Sequence, residues 1–169
     1  MPRAVPEVNR KLRKLASAYC NALREHLDKD LVSVVLYGSV ARGEASRTSD
    51  IDLLIIAEDL PKGQFARKES LAKADENTYP MLDALSKEGV ETCFTRILKT
   101  PKEASHIVPL YLDLVDDAVL LFDRGGFFQG ILSRIQASLR RLGARRRVTG
   151  QIRYWDLKPD IRPGEGFEI

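Results

Sequence analysis

Two aspartates one residue apart, Asp50 and Asp52, open an apolar run and follow the pair Gly38-Ser39 by ten residues. In a strand, side chains at i and i+2 share a face, so both carboxylates point the same way with Cα atoms about 7 Å apart. Two such charges repel each other and are costly to desolvate, and a bound cation removes that cost. Hard oxygen ligands that leave room for water and phosphate select Mg²⁺ or Mn²⁺, and two ions roughly 3.5–4 Å apart can share a pair of this kind. Gly38 allows a sharp turn and the close approach of a ligand. Ser39 stands where a short helical turn, Val40 to Arg42, begins, and its open N–H groups can hold the β- and γ-phosphates of a nucleotide. A purely local role for Ser39 as a helix cap is compatible with that reading. Arg42 either adds positive charge beside the phosphates or is a solvated or ion-paired arginine.

A third carboxylate is expected to complete the metal site. The next strand-like run after a long polar stretch is Val90 to Leu98, and Glu91 is its only acidic residue. Glu91 is therefore the predicted third ligand. A solvated glutamate at a strand start is the other reading, and Asp83 or Glu88 could take the position if the chain returns differently. His26 and His106 belong to no nucleophile pattern and read as surface or helix-face residues.

These groups need a scaffold. Leu31 to Tyr37 and Ile51 to Ala57 are continuous apolar runs that read as strands buried on both faces. Val5, Val8, Leu12, Leu15, Tyr19, Leu23 and Leu27 recur at helical spacing and predict an amphipathic helix from about Pro6 to Asp28. Gln64 to Glu88 predicts a second helical region that Pro80 should kink or divide. Thr100, Pro101 and Glu103 form a capping-box pattern for a short helix. A helix from Pro109 to about Asp116 leads into a fourth strand, Ala118 to Phe122. The last long helix runs from Phe127 to Leu142 and stops at Gly143.

Gly-Ser, ten residues, then Asp-x-Asp, with the internal Ala-Arg-Gly and Ser-Asp-Ile-Asp-Leu, resembles the nucleotidyltransferase superfamily related to DNA polymerase β, and its minimal members in particular. The motif spans Leu36 to Ile56, and the order of elements extends the match to about residue 123. The resemblance implies an α/β (α+β) fold, a mixed sheet of about four to five strands with flanking helices. Residues 1–123 would be the catalytic domain, with 124–169 a C-terminal helix and basic, aromatic tail packed on it. It implies that Gly38 and Ser39 contact a nucleoside triphosphate and that Asp50 and Asp52 bind Mg²⁺. The third carboxylate is most often Asp in the family, so Glu91 departs from the common pattern. The reaction so implied is attack of an acceptor hydroxyl, on protein or RNA, at the α-phosphate, with loss of pyrophosphate. AMP from ATP is the expected donor group. Many minimal members also bind and neutralise a helical RNase of the HEPN type, which is the alternative role. The tail Tyr154-Trp155-Asp156-Leu157-Lys158-Pro159-Asp160 resembles the ending of a stand-alone archaeal subgroup.

Composition bounds the rest. The chain has 169 residues, 44% of them hydrophobic, enough for one good core. With 27 basic against 24 acidic residues, the net charge of +3 is not that of a dedicated nucleic-acid binder. Charge is concentrated around Gly143, where Arg140, Arg141, Arg145, Arg146 and Arg147, with Arg153 and Lys158 beyond, could meet RNA or an acidic partner. Arginines at a helix C-terminus also simply complement its dipole. Tyr154-Trp155 beside them either stacks bases or anchors a terminal strand. Cys20 and Cys93 suggest neither a disulfide framework nor a zinc site, consistent with a reducing cytoplasm. No stretch reads as a signal peptide or membrane span.

Overall fold

The apolar runs form strands where the sequence predicts them, β1 (Leu31–Tyr37) and β2 (Ile51–Ala57), each almost entirely buried. The structure is a computed structural model that describes residues 6–150, 152–162 and 164–168. Val5 and the side chain of Arg153 lie outside the described residues. Helix α1 (Glu7–Leu27) precedes β1, and the five-residue α2 (Gly38–Arg42) joins β1 to β2. The two strands pair antiparallel with Tyr37 opposite Asp52. Helices α3 (Gln64–Glu69) and α4 (Ala72–Lys87) then cross to β3 (Phe94–Lys99), which runs parallel to β2 with Thr95 aligned on Asp52.

After the short α5 (Pro101–Ala104) and α6 (Pro109–Asp117), β4 (Val119–Asp123) pairs antiparallel with β1. The mixed four-stranded sheet has the order β3-β2-β1-β4. Helix α7 (Phe127–Arg141) follows. Asp123 holds its start, its carboxylate accepting the N–H groups of Phe128 and Gln129 at 2.9 Å each. A separate antiparallel hairpin, β5 (Arg145–Thr149) and β6 (Ile152–Asp156), ends the regular structure. Among the described residues no helix is long and apolar enough to cross a membrane.

Because side chains alternate along a strand, the sheet has two buried faces. Val34, Leu36, Leu53 and Ile55 meet α1 and α4 through Leu12, Leu15, Tyr19, Ala74 and Leu85. Val35, Leu54 and Ile56 meet α6 and α7 through Tyr111, Leu114, Phe128, Ile131 and Ile135. Asp52, two residues before Leu54, shares the second face but stands at the strand's start, where it is only partly buried.

The predicted second helical region divides at Ser70-Leu71, with Pro80 inside an unbroken α4. Pro80 is exposed, so the carbonyl it leaves without a partner faces water, while the buried Leu71 and the bond from the Ser70 hydroxyl to the Arg67 carbonyl fix the break upstream.

The tail packs by charge as well as by apolar contact. Arg146 pairs with Asp117 at 2.7 Å, Asp116 at 3.4 Å and Asp113 at 3.8 Å, all on α6, and Arg147 pairs with Asp156 at 3.0 Å. Trp155, opposite Arg146 in the hairpin, packs against the second core, so it anchors the strand rather than standing free, whereas Tyr154 is 45% exposed.

The capping box at α5 forms as predicted, and Arg67 joins it by donating to both Glu103 carboxylate oxygens at 2.7 and 2.9 Å. Arg67 first, then the Thr100 N–H, depress the Glu103 carboxyl to about 2 from its ordinary 4.5. That stabilisation is in place above pH 4.5 and is lost as pH falls through about 2. Glu103→Gln should cost about 1 kcal/mol at neutral pH, and denaturation curves of variant and wild type should draw together as the pH is lowered below 4.5.

Candidate active site

Gly38 ends β1 with φ +72°, and a Cβ built on it would lie 2.1 Å from Oδ2 of Asp52. Two requirements thus fall on one position: a left-handed backbone and the absence of any side chain, because the Asp52 carboxylate occupies the space. Antiparallel pairing of Tyr37 with Asp52 sets the residue that follows Tyr37 beside that carboxylate. Ser39 takes the next place in α2, so the Gly38-Ser39 corner and Asp52 form one continuous surface.

Burial, then the nearby charge of Asp50, raise the Asp52 carboxyl above its ordinary 3.8, and Arg42 pulls it part of the way back. Arg42 is therefore close enough for Asp52 to feel its charge, while its Nε donates to Glu44 at 2.8 Å. Burial and the Asp52 charge push the Tyr37 phenol up to about 12, leaving it a neutral hydroxyl at working pH.

Three side chains that the sequence reading passed over hold this surface in place. Asn9, fully buried on α1, donates to the Val40 carbonyl at 3.2 Å and accepts the Ala45 N–H at 3.1 Å. Arg13, one turn on, donates Nε to the same Val40 carbonyl at 3.1 Å and Nη2 to the Ala41 carbonyl. Together they satisfy carbonyls at the C-terminal end of α2 that a five-residue helix cannot bond internally. On the other flank, the Cys93 N–H and thiol both donate to Asp50 Oδ1 at 3.2 Å. Burial, followed by its bond to Asp50, raises the Cys93 thiol, which keeps it a donor.

The sequence did carry a signal for Asn9, a polar residue on the stripe formed by Leu12, Leu15, Ala16 and Tyr19. It carried none for Cys93, whose place depends on strand register.

Glu91 is not brought together with the aspartates. Strand β3 starts at Phe94 rather than Val90, because the Val90 N–H is used by the Leu85 carbonyl at the end of α4 and the Glu91 N–H by the Arg47 carbonyl. Glu91 is an exposed residue of that turn. Asp83 pairs with Lys87, and Glu88 with Lys11. The residue of β3 aligned with Asp52 is Thr95. Among the described residues, no three His, Cys, Asp or Glu side chains converge into a metal cage. Asp50 and Asp52 remain as the pair that could hold a cation. Their crowded, partly desolvated charge fits a hard divalent cation that takes its other ligands from phosphate and water.

Two tests follow from this geometry. Gly38→Ala should displace Asp52 and abolish nucleotide-dependent activity, at a folding cost of about 1–2 kcal/mol from backbone strain alone. Asp52→Asn should raise the melting temperature in chelator at neutral pH, by about 2–4 °C per kcal/mol of relieved repulsion. The sign follows from the raised carboxyl: the folded state binds its proton more tightly, so the ionised form costs stability. The advantage of Asn is absent below the unfolded value of 3.8 and grows as pH rises through the higher folded value.

Comparison with known proteins agrees with this surface. Residues 20–141 match the nucleotidyltransferase domain family. A Methanocaldococcus jannaschii protein named as a protein adenylyltransferase is 29% identical over 133 residues, covering 78% of this chain and 85% of that protein. The spectinomycin adenyltransferase of Enterococcus faecialis, solved with ATP and spectinomycin, shares the fold with a TM-score of 0.51 at 11% identity, over 77% of this chain and 66% of its own. A complex of the tri-AMPylated HEPN toxin of Shewanella oneidensis with its MNT antitoxin gives a TM-score of 0.42 at 16% identity, over 78% of this chain and 88% of that one. The family match spans well over half of the sequence and contains Gly38, Ser39, Asp50 and Asp52, and the chain belongs to the nucleotidyltransferase domain family.

Proposed function

We propose that this protein transfers AMP from ATP to a hydroxyl of a protein acceptor, releasing pyrophosphate. The observation that carries the reading is the close approach of Gly38 to the Asp52 carboxylate, which supports taking the Gly38-Ser39 corner as the phosphate site beside the acidic pair. The relative named as a protein adenylyltransferase supports AMP as the group and protein as the acceptor class.

In this reading the N–H groups of Gly38 and Ser39 take the pyrophosphate end of the nucleotide. Arg42, near enough for Asp52 to feel its charge, offsets charge that develops on the departing phosphates. The Cys93 N–H and thiol both bond Asp50 Oδ1, which restrains that carboxylate's orientation. Asp50 and Asp52 would hold a divalent cation, Mg²⁺ or Mn²⁺, which would supply charge neutralisation at the reacting phosphate. Asn9 and Arg13 keep α2 from moving when the phosphates bind.

RNA as acceptor is less well matched, because Arg146 and Arg147 of the basic cluster are engaged by Asp113, Asp116, Asp117 and Asp156. A HEPN-type partner is one protein acceptor that this chemistry accommodates, and silencing it by adenylylation would unite the enzymatic and antitoxin-like roles.

The test is transfer of label from α-³²P-ATP with Mg²⁺ into an extract of the source cells, comparing wild type with the Asp50→Asn/Asp52→Asn double variant. Protease-sensitive label that the variant reduces at least about 10³-fold is the expected result. Equal labelling by the variant, or label removed by nuclease, would refute the reading.

A further inference from the structure

Asp52 stands in a row that crosses the sheet. Tyr37 is its partner on β1 and Thr95 its partner on β3, so the three side chains leave one face side by side, with neighbouring Cα atoms about 5 Å apart. The residues flanking Thr95, Phe94 and Arg96, turn to the α1 and α4 face, where Phe94 stacks on Tyr19 and Arg96 bonds Asp75. Thr95 is therefore the residue that β3 itself sets beside Asp52 on the site's face, and it is exposed there. One position before the paired stretch, Cys93 meets Asp50, and its thiol and N–H donate to that carboxylate. Each aspartate thus has a short neutral group across the strand gap, a thiol for Asp50 and a hydroxyl for Asp52.

That row bears on how many cations the site can hold. The two carboxylates match one divalent ion in charge. A second ion roughly 3.5–4 Å away doubles the positive charge, and affinity for a hard cation follows the number of charged oxygen ligands. The further carboxylate that two ions call for would have to come from the place that Thr95 fills, since β3 is the edge of the sheet and no other strand extends the row. Acids on the surrounding elements are engaged elsewhere. Asp113, Asp116 and Asp117 of α6 are held by Arg146, and Glu91 is an exposed residue of the turn before β3. Asp50 is the acid whose charge adds to burial in raising the Asp52 carboxyl.

Resting on the transferase reading above, we propose that Thr95 takes the third place of the cation site and, being neutral, limits the nucleotide-bound protein to one divalent cation, held by Asp50 and Asp52. The two-ion arrangement that the spacing of Asp50 and Asp52 leaves open is closed by the register of β3. The β3 flank of Asp52 offers a hydroxyl where a second ion needs a carboxylate. An aspartate at residue 95 would build the missing ligand, at an exposed position on an edge strand.

The count is read with Mn²⁺ and an ATP analogue whose α,β-bridging oxygen is replaced by methylene, which binds without transfer. With protein in excess over the analogue, electron paramagnetic resonance of free Mn²⁺ gives the number of ions taken up per bound analogue. Wild type should take up one, and so should Thr95→Asn, which matches Asp in size but not in charge. Thr95→Asp should take up two, with the second ion bound at least about ten-fold more tightly than any second ion on Thr95→Asn. Glu91→Gln should match wild type in count and in affinity. Two ions on wild type, one ion on a Thr95→Asp protein whose melting curve shows it folded, or weakened uptake by Glu91→Gln would overturn the assignment. The wild-type and Glu91→Gln results decide the matter if Thr95→Asp fails to fold. Equilibrium dialysis of the analogue tests the transferase reading separately. Wild type that does not bind the analogue in Mn²⁺ removes that reading and the count with it, whereas binding with two ions overturns the count alone.

Discussion

Everything in this site turns on how closely the backbone at Gly38 approaches the side chain of Asp52. The room for a methyl group is taken by a carboxylate oxygen, so the end of β1 and the start of β2 cannot separate or slip without changing the site. A one-residue slip between these strands would turn Asp52 to the α1 face and bury it among leucines. The antiparallel register, fixed by apolar residues facing two different helix layers, thus decides whether the carboxylates point to solvent and substrate or into the core.

The supporting contacts are graded by their distance from the chemistry. Asn9 and Arg13 reach across from α1 to the end of α2, and Cys93 steadies Asp50 from the residue just before β3. Each is a neutral or positive donor aimed at an oxygen. The acids carry the excess negative charge; Cys93 restricts Asp50 without neutralising it, and Asn9 and Arg13 hold the backbone of α2 beside them. Unneutralised carboxylates keep their attraction for a cation, which full neutralisation in the free protein would remove.

Much of this was legible in the sequence, and the reason is physical. Long apolar runs bounded by Gly and Asp specify buried strands, so β1 and β2 are found to the residue. Thr100, Pro101 and Glu103 carry their capping geometry in three residues. Gly38 and Asp52 announced themselves by type and spacing, although their mutual contact did not, since it exists only once two strands are paired. Glu91 falls before β3, where the sequence suggests a strand, because hydrophobicity begins at Val90 while strand pairing begins at Phe94: the intervening backbone is used by α4 and by Arg47. Pro80 misled in the opposite way, as an exposed helix face lets water satisfy the carbonyl that proline leaves open.

The end of α6 carries Asp113, Asp116 and Asp117, three carboxylates at the pole of a helix that already bears partial negative charge. Arg146 is delivered to that pole by the β5–β6 hairpin. The hairpin is thus an internal counter-ion, and the last strands of the chain belong electrostatically to a helix laid down some thirty residues earlier. A helix whose charge balance depends on residues synthesised after it reaches its final stability only when the tail arrives.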